Sequence, residues 1–259
     1  MYVMETDNEM VAAEPVFDSV PEKAAYVQTM FDDIAPRYDV LNSVLSAGIH
    51  SSWRTFATRC AALQPGDAVL DVCSGTGEWT VPLRKVVGPT GTVVGLDFSF
   101  QMLRSGAERF AAVESPCIQA DAARLPFQSG LFNAVTIAFG IRNVVDVAGA
   151  FREMARVLRP GGRVVCLEFS QVKNPVFKSL YAVHSKWIMP AIGKMVSGHP
   201  TAYAYLPESV ARFKSREELA EIMKSAGLSP VRMIDLMFGL VCIHVGVKSD
   251  IAGGVGPGR

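Results

Sequence analysis

The stretch Val69-Leu70-Asp71-Val72-Cys73-Ser74-Gly75-Thr76-Gly77-Glu78-Trp79-Thr80 constrains this chain most. It begins as a buried strand, breaks at Ser-Gly-Thr-Gly and resumes as a helix whose free amides face the break. Glycine has no side chain to block approach, so a ligand can lie against bare backbone there. A dinucleotide turn reads G-x-G-x-x-G, with the third glycine allowing close helix–strand packing. Here Thr80 holds that third position, and acidic Glu78 opens the helix. A negative residue at a helix N-terminus is a poor neighbour for pyrophosphate. It tolerates a ligand with positive charge and no phosphate, such as S-adenosylmethionine (SAM), with its sulfonium and amino group.

The rest of the chain supplies a setting for such a turn. From Ala68 onward, strand and helix alternate, which is the pattern of a parallel sheet covered on both faces. Strands are expected at Ala68–Cys73, Gly91–Asp97, Cys117–Ala120, Leu131–Phe139 and Arg163–Phe169. Helices are expected at Glu78–Val87, Ser99–Ala112 and Asp146–Leu158, the last ended by Arg159-Pro160-Gly161-Gly162. An amphipathic helix follows over Ser215–Ala226, then a hairpin of Val231–Met237 and Leu240–Val247 about Phe238-Gly239. Three helical pieces precede strand one: Glu22–Ala35, stopping before Pro36, a second between Arg37 and Gly48, and His50–Leu63.

These assignments divide the chain into a loose N-terminus (1–21), one domain (22–248) and a flexible tail (249–259). Within the domain, 22–66 is a helical cover. Residues 170–212, aromatic yet carrying Pro175, Pro190, Pro200 and Pro207, read as a lid inserted after strand five.

Bulk properties exclude several functions. Lys+Arg and Asp+Glu are equal at 25 each, whereas non-specific nucleic-acid binding needs a basic excess. The five cysteines stand singly and form no C-x-x-C pair. They suggest reduced core residues in a cytoplasm, with neither a disulfide frame nor a metal site. The acidic N-terminus lacks the basic-then-apolar order of a signal peptide. No apolar run reaches spanning length.

In open α/β sheets, ligands sit beyond the carboxyl ends of the strands. Asp71 ends strand one beside Gly75 and Gly77. Asp97 ends strand two and can accept from both hydroxyls of a ribose, and Met102 follows in the next helix. Asp121 and Ala122 follow strand three, where an adenine edge would lie. Ala138 ends strand four, toward the sulfonium. Taken singly, each has a plainer reading: a tight turn for the glycines, a helix cap for Asp97 or Asp121. Their recurrence at three successive strand ends favours an adenosyl ligand.

Five stretches make the chain resemble the ubiquinone/menaquinone-biosynthesis C-methyltransferases. They are Phe31-Asp32-Asp33-Ile34-Ala35-Pro36-Arg37-Tyr38-Asp39-Val40-Leu41-Asn42, Gly48–Arg54, Ala138-Phe139-Gly140-Ile141-Arg142-Asn143-Val144, Arg159–Gly162 with Leu167–Ser170, and Tyr205-Leu206-Pro207-Glu208-Ser209. The resemblance runs from about Tyr26 to Lys248. It implies a class I SAM-dependent methyltransferase fold: α/β, Rossmann-like, with a seven-stranded, mostly parallel sheet closed by an antiparallel hairpin. Val72-Cys73, Trp79-Thr80, Leu96–Ser99 and His184–Pro190 are most similar to bacterial menaquinone-type members. The implied reaction is methylation of a 2-demethylmenaquinol, with a ubiquinone-pathway benzoquinol or a non-catalytic SAM-binding scaffold as alternatives.

Carried over from the family, SAM contacts fall on Thr80, Asp97, Asp121, Ala122 and the position of Ala138. Family members often have serine at that last position, and alanine offers only backbone groups. Asp121 replaces an asparagine of some relatives, and both accept from an adenine amine. Arg142 is the candidate to stabilise a developing phenolate or orient a water, and Asn143 to hold the second ring oxygen. Bracing of the loop is the alternative for both. Tyr38, Asn42 and His50 are candidates to touch the quinol, with packing or helix capping the competing roles. A prenylated naphthoquinol also needs an apolar route. The lid carries Lys173, Lys178, Lys186 and Lys194, which suit weak peripheral contact with the inner face of the cell membrane, although covering the site is its main expected role. Self-association into a homodimer stays open.

Overall fold

The computed structural model describes residues 20–46, 48–172, 205 and 208–249, and the elements below are numbered over these. Of the expected lid only 170–172, 205 and 208–212 fall inside this set, and of the expected tail only Ser249; the expected loose N-terminus falls outside it apart from Val20 and Pro21, which are helical. Helix α1 spans Val20–Ile34, and a 3-10 turn, Ala35–Arg37, carries Pro36. Helices α2 (Tyr38–Leu45) and α3 (Ile49–Cys60) complete the pieces before strand one. Proline ends the regular α-helix because it lacks an N–H, but its fixed φ suits the first turn of the next helical segment.

The strands are β1 (Ala68–Val72), β2 (Thr92–Asp97), β3 (Cys117–Gln119), β4 (Phe132–Ala138), β5 (Leu158–Phe169), β6 (Leu228–Leu236) and β7 (Val241–Lys248). They form one sheet in the order β3-β2-β1-β4-β5-β7-β6. The first five run parallel, and β7 lies antiparallel between β5 and β6. The order reverses at β1, where the chain steps to β2 on one side and later to β4 on the other, and this opens a crevice at the strands' carboxyl ends.

Alternation along β1 assigns the two cores. Leu70 and Val72 face one side, packed with Phe151 and Met154 of α7 (Val147–Val157) and Leu219 and Met223 of α8 (Arg216–Ser225). Val69 faces the other, with Trp53 and Ala57 of α3 and Leu83 and Val87 of α4 (Thr80–Val87). Phe56 of α3 stays outside this packing and is 39% exposed. Asp146 and Ser215 cap α7 and α8 through their side chains, the latter in a reciprocal box with Glu218, as such residues do at helix starts.

Two expected boundaries are corrected. The helix read as Ser99–Ala112 is two, α5 (Phe100–Ser105) and α6 (Ala107–Ala112), joined at Gly106. A Cβ on Gly106 would lie 2.3 Å from the Thr76 carbonyl oxygen, so only glycine lets α6 approach the ligand turn. The turn Arg159–Gly162 does not stand outside the sheet. It bulges within β5, where pairing jumps from Phe132–Leu158 to Ala134–Arg163, and Gly161 takes φ +72° there. Among the described residues no helix is long and apolar enough to cross a membrane.

Candidate active site

Beyond Val72 the backbone enters left-handed conformations at Cys73 (φ +53°), Gly75 (+56°) and Gly77 (+80°). The turn is closed by Gly77 N–H donating to the Ser74 carbonyl at 2.9 Å, and Ser74 N–H donates across to Leu96 O at 2.9 Å. The two glycines serve different ends. A Cβ on Gly75 would meet only the Tyr38 ring, at 3.8 Å, so the space over it is open to a ligand. A Cβ on Gly77 would strike the Phe110 ring at 2.8 Å, so this glycine serves packing. Thr80 is fully buried, and its hydroxyl donates to Gly77 O at 2.7 Å. It shapes the turn from behind and does not reach the ligand space in this conformation.

That space is a cavity of about 390 Å³ at the carboxyl ends of β1, β2 and β4, of a size that small-molecule sites commonly have. Six of the nine residues expected to hold a cofactor line it: Gly75, Asp97, Met102, Asp121, Ala122 and Ala138. Asp97 accepts from Gly75 N–H (2.8 Å) and Ser99 N–H (2.9 Å). Burial pushes its carboxyl up to about 6, against these amide bonds that favour the ionised form. Asp121 accepts from Ala123 N–H at 2.9 Å, which fixes the loop after β3.

A smaller recess of about 20 Å³ adjoins the cavity, sharing Tyr38, Cys73, Gly75 and Ala138 as wall. The seventh expected residue, Asp71, lines it and is 1% exposed. One of its oxygens accepts from Thr136 Oγ1 at 2.7 Å. The other has no hydrogen-bond partner, nor has Ser74 Oγ beside it. Burial, assisted by the Asp97 charge, raises the Asp71 carboxyl to about 7. Glu78 also faces the recess but does not present the bare negative charge expected of it. It pairs with Arg54 Nη2 at 2.9 Å and His50 Nε2 at 3.2 Å. Burial alone would raise its carboxyl; the His50 hydrogen bond and the Arg54 charge together hold it below the ordinary range.

The expected substrate and catalytic residues divide similarly. Tyr38 lines both spaces. Burial raises its hydroxyl, partly countered by a hydrogen bond with Asn42 and the charges of Arg54 and Arg142. Asn42 thus acts on Tyr38 from behind the wall. His50 is buried between Ser46 Oγ (2.6 Å) and Glu78, not on the cavity wall. Asn143 lines the cavity, and its Oδ1 accepts from the Tyr205 hydroxyl at 2.9 Å.

Arg142 departs from its expected place. It lies behind the wall, with Nη1 donating to Glu168 Oε1 at 2.7 Å and to Phe139 O at 2.5 Å. Its backbone N–H donates to Glu168 Oε2 at 3.3 Å, and its side chain is 7% exposed. This brace holds Phe139, on the cavity wall, at φ +55°, a conformation that a bulky residue keeps only under constraint. The Phe139 ring packs on Phe169 at 4.7 Å between centroids, and the Arg54 guanidinium sits 5.6 Å from the Phe139 centroid.

Sequence reading did not single out Arg54, Glu168 or Tyr205 individually. All three fall inside stretches it singled out as wholes, which was the available signal.

The α/β frame has close counterparts among solved structures. A SAM-dependent methyltransferase from Thermotoga maritima superposes with TM-score 0.61 at 17% identity, covering 86% of this chain and all of that one. The [4+2]-cyclase SpnF superposes with TM-score 0.63 at 17% identity, covering 87% and 97%. At these identities the likeness shows the fold alone. Sequence goes further. The demethylmenaquinone methyltransferases of Staphylococcus aureus strains JH9 and Newman are each 43% identical over 223 residues, covering 86% of this chain and 92% of theirs.

The site's chemistry agrees with a SAM cofactor. Gly75 leaves an open cradle, and the unpartnered oxygens of Asp71 and Ser74 are acceptors for a ligand ammonium. Asp97 and Asp121 stand at the next strand ends, where ribose and adenine groups need acceptors. The ubiE/COQ5 methyltransferase family model matches residues 19–248, and with these acceptors and the relatives' identity the chain belongs to that family, as a SAM-dependent methyltransferase.

Proposed function

We propose that this chain transfers the methyl group of SAM to a ring carbon of a demethylmenaquinol. The observation that carries the reading is the 43% identity, across 92% of its length, to a protein named demethylmenaquinone methyltransferase. Site geometry supports it. The cavity wall combines Val27, Phe31, Phe98 and Phe139 with the polar groups of Tyr38 and Asn143, which suits an aromatic ring bearing two oxygens. Phe98 and Phe100 are 42% and 53% exposed, apolar surface that suits a prenyl chain. Such a chain partitions into a bilayer, so delivery from a membrane surface belongs to this reading.

Bound SAM supplies an electrophilic sulfonium methyl. The acceptor carbon must be electron-rich and held roughly 3–3.5 Å from it. A hydroquinone meets this when a hydroxyl gives its proton to solvent water, since phenolate density reaches the adjacent carbon. The methyl leaves its sulfur behind in neutral S-adenosylhomocysteine, and the hydrogen on the methylated carbon leaves as a proton while the oxygen regains one, restoring the quinol. The quinone is electron-poor. Because Tyr205 donates to the Asn143 carbonyl oxygen, the Asn143 amide N–H2 is left to donate to a ring oxygen and stabilise charge developing there. Tyr38, held by Asn42, bounds the ring's other side. Arg142 serves by fixing Phe139 and Asn143, its charge matched by Glu168.

The test is incubation of the protein with SAM and chemically reduced demethylmenaquinone, read by mass spectrometry for one added methyl. A quinol with one more methyl is expected. Absence of product while SAM still binds would overturn the proposal and favour a binding scaffold.

A further inference from the structure

Arg54 is buried, 7% exposed, and uses only part of its donor set. Nη2 is held by Glu78, while Nη1 has no partner. A buried guanidinium donor without an acceptor is costly and uncommon in a native fold. The Arg54 side chain lines the same recess as Asp71 and Ser74, whose unpartnered oxygens are acceptors. One small space therefore collects an unmet cationic donor and two unmet acceptors. A group that satisfies both must carry an anion and a cation close together.

We propose that Arg54 is a specificity-determining residue that binds the α-carboxylate of the cofactor, while Asp71 and Ser74 face its α-ammonium. The assignment rests on the reading of the adjoining cavity as the SAM site. Two neighbours hold Arg54 for this role, each backed by a further side chain. Glu78, fixed in turn by His50, takes one guanidinium nitrogen and leaves the other free. The Phe139 ring lies 5.6 Å from the guanidinium carbon, an attractive placement for a cation. Trp53, the preceding residue on α3, packs near Phe139, with centroids 6.1 Å apart. The helical cover before β1 thus contributes a ligand-binding charge to a site built mainly from strand ends.

The test compares SAM with decarboxylated SAM, which keeps the adenosine, the sulfonium and the amine but lacks the carboxylate. Affinities for the apoprotein are measured by titration calorimetry. The wild type should bind SAM about tenfold more tightly or better, the scale of a charge-assisted hydrogen bond. Arg54→Gln should bind the two alike, chiefly through weaker SAM binding, and Arg54→Lys should retain part of the preference. Equal affinities in the wild type would overturn the proposal and leave the recess to a bound water. So would a full preference surviving in Arg54→Gln. The wild-type comparison decides even where the Gln variant does not fold. Failure of both ligands to bind the wild type would overturn the cofactor reading of the cavity, and this assignment with it.

Discussion

A carboxylate buried with one oxygen bonded and the other bare is stabilised by whatever brings it a donor, and Asp71 is in that position. Its carboxyl stands at about 7 against an ordinary 3.8, and that of Asp97 at about 6. The apo fold thus holds these protons more tightly than the unfolded chain does. That contribution to stability is complete below the ordinary value and is lost as pH climbs through about 6 to 7. A cationic ligand selects the ionised form. SAM affinity is expected to rise between roughly pH 5.5 and 7.5, with protons released on binding. Calorimetry in two buffers of different ionisation enthalpy measures the release. Asp71→Asn should raise the apo melting temperature at pH 8 and weaken SAM binding about tenfold or more, the scale of a lost charged hydrogen bond.

Glu168 carries the charge that matches buried Arg142. Removing it leaves Arg142 buried and unpaired, which costs about 3–5 kcal/mol. Urea unfolding of Glu168→Ala should show that loss, and the double variant Arg142→Met/Glu168→Leu a smaller one. Asp71, Asp97 and Asp121 were legible in the sequence because each sits at or just beyond a strand end, which topology alone carries to the crevice; Asn143, five residues after β4, was legible only through the family resemblance. The inward turn of Arg142 was not, because its partner Glu168 lies 26 positions away on β5. Local pattern holds no trace of such a pairing.

At the scale of elements, the Gly turn is shaped by what packs behind it. Gly106 and Phe110 abut Thr76 and Gly77, and Arg109 donates to Thr76 O at 2.7 Å and to Asp39 of α2 at 2.7 Å. Thr76 Oγ1 also donates to Asp39, at 2.5 Å. Gly106→Ala places a methyl against backbone that cannot yield cheaply. It should cost about 1–3 kcal/mol in unfolding and weaken SAM binding as the turn shifts. Asp39→Ala frees the cover from the turn and should speed limited proteolysis between α1 and α3, an effect that bound SAM only partly restores. The split of α5 from α6 escaped sequence reading because apolar periodicity runs unbroken through Gly106. The close contact that requires glycine there is with a residue 30 positions earlier.

At the scale of the molecule, strand alternation and binary pattern predict a parallel sheet followed by a hairpin, because buried apolar strands and amphipathic helices admit few other arrangements; that the hairpin closes the sheet antiparallel came from the family resemblance. The glycine turn indicates where a cofactor lies but selects no acceptor, and the cyclase among the fold's neighbours shows that the frame alone does not define the chemistry. Under the proposed function that selection belongs to Tyr38 of the cover, to Phe139 and Asn143 after β4, and to Tyr205 beyond β5. The proposed reaction is transfer to carbon on a reduced naphthoquinol ring. It is tested most directly by anaerobic incubation with SAM labelled at the methyl and reduced demethylmenaquinone, with the label located by fragmentation mass spectrometry. A labelled methyl on the ring carbon, and none when the oxidised quinone is supplied, is the expected result. Label on a ring oxygen, or no label while SAM remains bound, would contradict it.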